Sequence, residues 1–541
     1  MNWRLWQALP LVCLCLLFVF SAPGQVLASS DASSNEELAT MLGEKSWDKL
    51  ETAITRLSVK GDDESQNILT LWLSGQLFIE KKTQRLVTAE KSGRTYLISD
   101  PISGDAWGEV KKRSLKKVRI NNRLRNSIKT ALALWDLKSE DPDKRLQAVK
   151  EISKDINVST LPLLEGMVEQ ETDTDVQAAL TTAIALYNFQ QGSDELKLES
   201  LKTLAESDNP IVRSALESAK NTTKDKQLLQ GIHSALADLD RRQDYYSAVE
   251  SMFFGLSLGS VLLLAAIGLA ITFGVMGVIN MAHGEMMMLG AYTTFVIQSA
   301  FPSLIEQSLF IAVPMAFIVA GSVGILIERL VIRHLYGRPL ETLLATFGIS
   351  LILQQAVRTI FSPLNQAVST PEWMSGSWII NDALSLTWNR VYIIGFSLAV
   401  FLTLLFILRH TRFGLNMRAV TQNRAMASSM GIHTSRVDAL TFGLGSGIAG
   451  VAGVALSQLT NVGPNLGQNY IIDSFMVVVF GGVGNLWGTL VAAMGLGVVN
   501  KLLEPWAGAV VAKILVLVFI ILFIQKRPKG LFALKGRAVE D

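Results

Sequence analysis

From Met252 to about residue 525 the chain is a succession of apolar runs, and this narrows its fold more than any other feature. FFGLSLGSVLLLAAIGLAITFGVMG (253–277) is long enough as a helix to cross a hydrocarbon layer of about 30 Å. Further runs lie near 285–300, 307–332, 342–361, 391–408, 439–459, 471–483, 487–503 and 508–525. Inside a bilayer each backbone N–H and C=O must be paired within the protein, so runs of this length read as helices. The short run 471–483 either crosses or enters and leaves on one side. The pattern predicts a polytopic α-helical membrane domain over 250–530 with about eight or nine spans.

The residues before these runs are of another kind. The whole chain, 541 residues and 49% hydrophobic, carries a formal charge of +2. Roughly 17 Lys and Arg against roughly 11 Asp and Glu follow Ser251, whereas 29–250 hold about 31 against about 36. An acidic, polar half thus precedes a basic, apolar one. The first 28 residues read as a secretion signal, with Arg4 as basic flank, LVCLCLLFVF (11–20) as apolar core and Val26-Leu27-Ala28 as cleavage site. A retained anchor helix is the rival reading. Leu14 is too bulky for a lipoprotein signal at Cys15, and Cys13 and Cys15 are the only cysteines, so a cleaved chain has no thiol chemistry.

Residues 29–245 are therefore expected to fold outside the membrane. The stretch 84–120 carries turn signals and short alternating runs that suit a few strands, and the rest has helical periodicity. From about 125, DPDKRLQAVKEI (141–152), DTDVQAALTTAI (173–184) and NPIVRSALESAK (209–220) share one layout. Asp or Asn followed by Pro or Thr opens a helix. A polar residue (Arg145, Gln177, Arg213) and then a small or apolar one (Ala148, Leu180, Leu216) follow, at a period of about 32 to 36 residues. The exported domain is thus expected to be mainly α-helical and to resemble HEAT repeats. An ordinary helical domain is the alternative. His233 stands alone and suggests no site.

Basic loops set the orientation. Arg333–Arg338, 409–424 and 525–530 hold most of the Lys and Arg of the second half and should face the cytoplasm, whereas 362–388 has Glu372 and Asp382 and no basic residue. An outward amino-terminal domain and an inward carboxyl-terminal tail (531–541) require an odd number of crossings, which favours nine. GGVGNLWG (481–488) sets Gly481, Gly482, Gly484 and Asn485 between two apolar runs, the pattern of a broken helix lining a cavity. Asn280, His283 and Glu285 are polar groups at membrane depth, where such groups are costly and tend to face a path or a partner. Gln354 and Gln355 read the same way. Capping of the second span is the plain alternative for the first three. No HExxH accompanies His283, so no metal site is expected, and no GxxxxGK[ST] is present, so ATP should bind elsewhere.

Residues 255–292, 417–456 (MRAVTQNRAMASSMGIHTSRVDALTFGLGSGIAGVAGVAL), 477–497 and the closing KRPKGLF (526–532) together resemble permease subunits of branched-chain amino acid ABC importers. The long exported domain and RAVTQNRAMASSMGI resemble the urea-importing members of that group. The resemblance implies a permease rather than an enzyme, with no cofactor of its own, in the bacterial inner membrane with 29–245 periplasmic. It implies a second permease, two ATP-binding subunits and a periplasmic solute-binding protein as partners, a small neutral solute as cargo, and no role for nucleic acid. It also implies a coupling loop over 409–438, with Arg418, Gln422, Asn423, Met426, Ala427 and Gly431 toward the ATPase. Urea is the expected cargo, and branched-chain amino acids or short amides are the alternative. A membrane-anchored interaction protein and an intramembrane hydrolase are the remaining alternatives.

Overall fold

A computed structural model describes residues 39–43, 46–92, 95–156, 158, 160–381 and 383–532. The expected signal, 1–28, and all of the expected tail beyond Phe532 lie outside the described residues. The chain divides into two compact units, one ending at Leu239 and the other starting at Asp240.

The first unit begins with two amphipathic helices, α1 (Trp47–Lys60) and α2 (Asp63–Ser74), which bury Leu50, Ile54, Leu69 and Trp72 together with Leu124 and Ile128 of α3 (Asn122–Asp136). Between them runs an antiparallel sheet of five strands in the order β4-β3-β2-β1-β5: β1 (Leu77–Glu80), β2 (Leu86–Ser92), β3 (Thr95–Ser99), β4 (Ala106–Val110) and β5 (Leu115–Lys117). The sheet is larger than the few strands expected, and β1 precedes the window read for them. Its neighbour α2 ends on Gly75 in the left-handed region, so LFIE starts a strand instead of prolonging the helix.

Helices α4 (Pro142–Ile152), α5 (Leu161–Val168), α6 (Thr174–Gln191), α7 (Asp194–Ala205) and α8 (Pro210–Thr222) follow. The three similar segments open identically. Asp141 caps through the Asp143 amide at 3.0 Å, Asp173 through those of Asp175 and Val176, and Asn209 through that of Ile211. Ala148, Leu180 and Leu216 are buried, as their shared position in the layout requires. Arg145 adds a bidentate pair with Glu171 at 2.7 and 2.8 Å, and its Nη1 donates to the Ser139 and Glu140 carbonyls. This network joins α4 to the turn before α6.

The chain passes into the second unit within α9 (Lys226–Met276). The helices after it are α10 (His283–Ala300), α11 (Ser308–Leu330), α12 (Pro339–Phe361), α13 (Trp388–His410), α14 (Arg412–Gln422), α15 (Arg424–Ser429), α16 (Thr434–Ser457), α17 (Leu466–Gly481), α18 (Leu486–Ala507) and α19 (Ala509–Lys526). Among the described residues, 7 helices are long and apolar enough to cross a membrane. That is below the eight or nine expected, for two reasons. The 18-residue α10 carries His283, Glu285 and Gln298 and is less apolar, and the 16-residue α17 is short. Helix α10 nonetheless lies mostly buried among its neighbours, and α17 buries one face. The bundle is built around α16, nearly every residue of which is buried from Val437 onward. Small residues permit this: a Cβ on Gly453 would sit 1.9 Å from the Met287 carbonyl oxygen. Residues 362–387 form a loop ending in a hairpin of β6 (Ser377–Asn381) and β7 (Leu384–Thr387), with Trp378 stacked on Trp388.

Candidate functional site

The polar residues at the start of α10 are set there by a reversal of the chain. Helix α9 stops at Met276 because Gly277 takes φ +65°, and the next turn is made by Asn280, whose Oδ1 accepts the Ala282 amide at 3.0 Å. The loop is fastened to α12 by the Met281 amide, which donates to Thr346 Oγ1 at 3.1 Å. Helix α10 then begins with His283.

His283 and Glu285 leave α10 in different directions. His283 Nε2 donates to the Ala265 carbonyl of α9 at 2.9 Å, which places the proton on Nε2 and leaves Nδ1 without a partner. Glu285 meets α12 instead. Its Oε1 accepts from Gln354 Nε2 at 2.7 Å and from Ser350 Oγ at 3.0 Å, while Oε2 has no partner. The Nδ2 of Asn280 is likewise buried and unpaired. Each such atom costs about 1–3 kcal/mol when left unsatisfied, so their concentration at one end of one helix marks the site.

Facing Glu285, α12 presents a ladder. Thr342, Thr346, Ser350 and Gln354 recur at every fourth residue and are all buried. Arg358, four residues further on, donates through Nη2 to Asn465 Oδ1 at 2.7 Å. At a rise of about 1.5 Å per residue, Thr342 to Arg358 spans about 24 Å, most of a bilayer core. Thr342 and Thr346 also bond carbonyls of their own helix, at 2.9 Å each, so their hydroxyls are compatible with an apolar surrounding. The resulting surface is a strip of hydroxyl and amide groups along one helix, with one carboxylate beside it.

The structure therefore joins Glu285 and Gln354, and brings Asn280 close in the chain through the Met281–Thr346 contact. It turns His283 to the opposite neighbour, and it leaves Gln355 exposed on the far side of α12. The Gly481–Asn485 group is elsewhere. It forms a tight reversal between α17 and α18 rather than a break inside one span, with Gly482 at φ +106° and Gly484 at φ +79°. Asn485 caps α18 through the Trp487 and Gly488 amides. Leu531 and Phe532 of the closing KRPKGLF donate to the Phe480 and Gly481 carbonyls, so this turn is held by the carboxyl-terminal segment.

The loop 409–438 folds as α14 and α15, separated at Asn423, which caps α15 through the Met426 amide at 2.9 Å. Gly431 ends the segment at φ +87°. Leu415, Met426 and Met430 are exposed, with Met430 78% accessible, and Gln422 and Gly431 also face outward. Ala427 differs from expectation: it is 5% exposed and packs against Val437, Met417 and Val420, because a short helix must bury one face to stay docked. Arg418 is exposed but folds back to donate to the Leu408 carbonyl at 2.9 Å. Sequence reading passed over Arg424, which pairs with the fully buried Asp438 of α16 and lies 4.4 Å over the Tyr336 ring.

Residues 251–524 match the family described as branched-chain amino acid transport system / permease component. The high-affinity branched-chain amino acid transport system permease protein LivH of Salmonella typhimurium is 32% identical over 293 residues, which is 52% of this chain and 94% of that protein. BraD of Pseudomonas aeruginosa, named a permease of the same kind, is 28% identical over 53% of this chain and 96% of its own length. The ribose import permease protein RbsC of Escherichia coli is 26% identical over 47% of this chain and 78% of its own. No solved structure matches the chain.

Proposed function

The chain belongs to the family of branched-chain amino acid transport system permease components, and from that premise we propose how its parts carry a small polar solute across the membrane in an ATP-driven importer. As a multi-pass transport subunit it works with ATPase and solute-binding partners, and its homologues are not enzymes. The observation that carries the reading is the buried polar ladder of α12 against Glu285 inside a bundle of that family. A solute released from a partner on the outer side exchanges its water for the hydroxyls and amides of this strip. Closure of the ATPases presses on α14 and α15 through Leu415, Met426 and Met430, whose exposure supports a docking role. Arg424 and Asp438 pass that movement to α16. The first unit lies on the outer side, its three similarly capped helices supporting a HEAT-like stack. The turn at Gly481–Asn485 is part of the frame around the path.

The names of the relatives make branched-chain amino acids the better supported cargo. Urea is the second reading. It is favoured by the amino-terminal unit, which lies before the stretch that matches the family model. Transport of labelled leucine and labelled urea into vesicles holding the full chain, its neighbouring subunits and ATP separates them. Leucine uptake unaffected by urea establishes the first, urea uptake unaffected by leucine the second. ATP hydrolysis without uptake of either rejects both.

A further inference from the structure

Charge is unevenly placed within the first unit. Residues 111–129 hold nine Lys and Arg and no Asp or Glu, whereas 130–239 hold 19 acidic against 11 basic side chains. The fold gathers the basic stretch along one edge of the sheet. β5 is the edge strand beside β1, with Lys116 opposite Ile79 and Lys117 opposite Phe78. The short 3-10 turn Lys112–Ser114 that leads into β5 lies against the turn between β1 and β2. There the Lys81 amide donates to the Ser114 carbonyl at 2.9 Å, and Lys81 Nζ to the Arg113 carbonyl at 2.8 Å. Lys81 and Lys82 thereby join Lys111, Lys112 and Arg113 at one end of the edge, and Arg119 follows β5 at the other. All of these side chains are exposed.

The acids near this edge are engaged elsewhere. Glu51 pairs with Arg123, and Glu80 Oε2 accepts from Thr83 at 2.6 Å. Among the described residues, Lys82, Lys111, Lys112, Arg113, Lys117 and Arg119 form no salt bridge. Two of these cations are seated on rings instead, Lys117 5.9 Å over Phe78 and Arg119 4.7 Å over Trp47. Lysine on an edge strand guards it against pairing with another strand. That accounts for Lys116 and Lys117 but not for the cations off the strand. A ridge of like charges repels itself, and an anionic partner relieves the repulsion.

We propose that this edge of the first unit rests on the anionic phospholipid headgroups of the membrane that holds the second unit. The two units share one chain, so headgroups are the polyanion kept at high local concentration. The ridge is mostly lysine on turns, a diffuse field that suits a fluid array of phosphates better than the fixed fork of one carboxylate. Each such residue strengthens partition onto an anionic surface about fivefold. The acidic stretch after residue 129 is repelled by the same surface, so the sheet edge is the part presented to it. The inference holds whichever solute is carried, and failure of the transport reading leaves it standing.

The test uses the full chain with its partner subunits in nanodiscs of phosphatidylcholine, with or without phosphatidylglycerol. Lys112→Cys, in a background from which Cys13 and Cys15 are removed, carries a fluorophore that a spin label on the lipid headgroups quenches. Asp194→Cys, exposed at the start of α7, is the reference position. Phosphatidylglycerol is expected to increase quenching at position 112 at least about threefold and to leave position 194 unchanged. Molar salt, which shortens the screening length to about 3 Å, is expected to abolish the increase. Lys82→Glu, Lys111→Glu and Arg113→Glu together are expected to abolish it too, with the unfolding midpoint and ATP hydrolysis kept. Where that variant fails to fold, the corresponding Gln substitutions and the salt series give the same reading. Quenching at 112 that ignores phosphatidylglycerol overturns the proposal, and so does an equal gain at 112 and 194. Inorganic phosphate that removes the gain at an ionic strength where chloride does not assigns a discrete phosphate site and overturns the lipid surface. Shielding of the label in phosphatidylcholine discs only when the solute-binding partner is added assigns the edge to a protein and overturns it as well.

Discussion

Among the described residues, Glu285 is the carboxyl group to which the buried ladder donates, through Ser350 and Gln354, and it is central to the proposed path. Glu285→Gln keeps an acceptor for Ser350 and Gln354 and replaces the unpartnered Oε2 by an amide nitrogen. The thermal midpoint of the purified complex is expected to change little, because both contacts to α12 survive, and uptake to fall about 10-fold or more, because a donor replaces the acceptor offered to the solute. Gly290 is constrained by packing instead. A Cβ there would lie 1.9 Å from the Gly450 carbonyl oxygen, and the clash is with backbone that has no room to yield. Gly290→Val is expected to destabilise the bundle by about 3 kcal/mol or more, read as lost folded yield and a lower unfolding midpoint. In the first unit, hydrogen bonding from Arg145 holds the Glu171 carboxyl down to about 2 from an ordinary 4.5. A lowered carboxylate contributes stability that is full above the ordinary value and is lost as pH falls toward about 2. Arg145→Met is therefore expected to differ most from wild type above pH 5 and to converge with it below pH 2, in the unfolding midpoint of the first unit.

Elements transmit what residues bind. Helix α15 is joined to α16 by Arg424 and Asp438, a pair whose acid is fully buried and whose base keeps water on one side. Arg424→Met strands the carboxylate and is expected to destabilise by about 3 kcal/mol, the low end of the cost of breaking a buried pair. Adding Asp438→Leu is expected to restore most of that stability. ATP hydrolysis should then persist while uptake stays low, measured side by side in vesicles. Much at this scale was legible in the sequence. The helix openings at Asp141, Asp173 and Asn209 follow from short polar side chains ahead of Pro or Thr. The apolar runs after Met252 gave the long helices, since only helix pairs the backbone of such runs in lipid. Other features were hidden for physical reasons. Threonine and serine on an apolar helix usually bond their own backbone, so Thr342, Thr346 and Ser350 carry little signal until Glu285 is seen opposite them. Their four-residue spacing, continued by Gln354 and Arg358, was the available clue. Gly-Gly-Val-Gly reads equally as a broken span or a reversal, and the positive φ at Gly482 and Gly484 decides for the reversal. Arg424 and Asp438 are 14 residues apart, and no local pattern pairs them.

At the scale of the molecule, the chain combines a family permease with a unit that the matched stretch does not include. The family match covers 251–524, and the first unit ends at Leu239. The permease unit supplies a buried polar strip about 24 Å long and a capped, docked segment with exposed methionines. Together these support the proposed passage for a polar solute driven by partner subunits. The most direct measurement is ATP-dependent uptake into vesicles containing the full chain and its neighbouring subunits, comparing wild type with Glu285→Gln and Gln354→Ala. The account predicts that wild type accumulates labelled leucine or urea only when ATP is present, and that both variants hydrolyse ATP but accumulate at least about tenfold less. Wild-type uptake rates in both variants would contradict the assignment of the solute's path to α10 and α12.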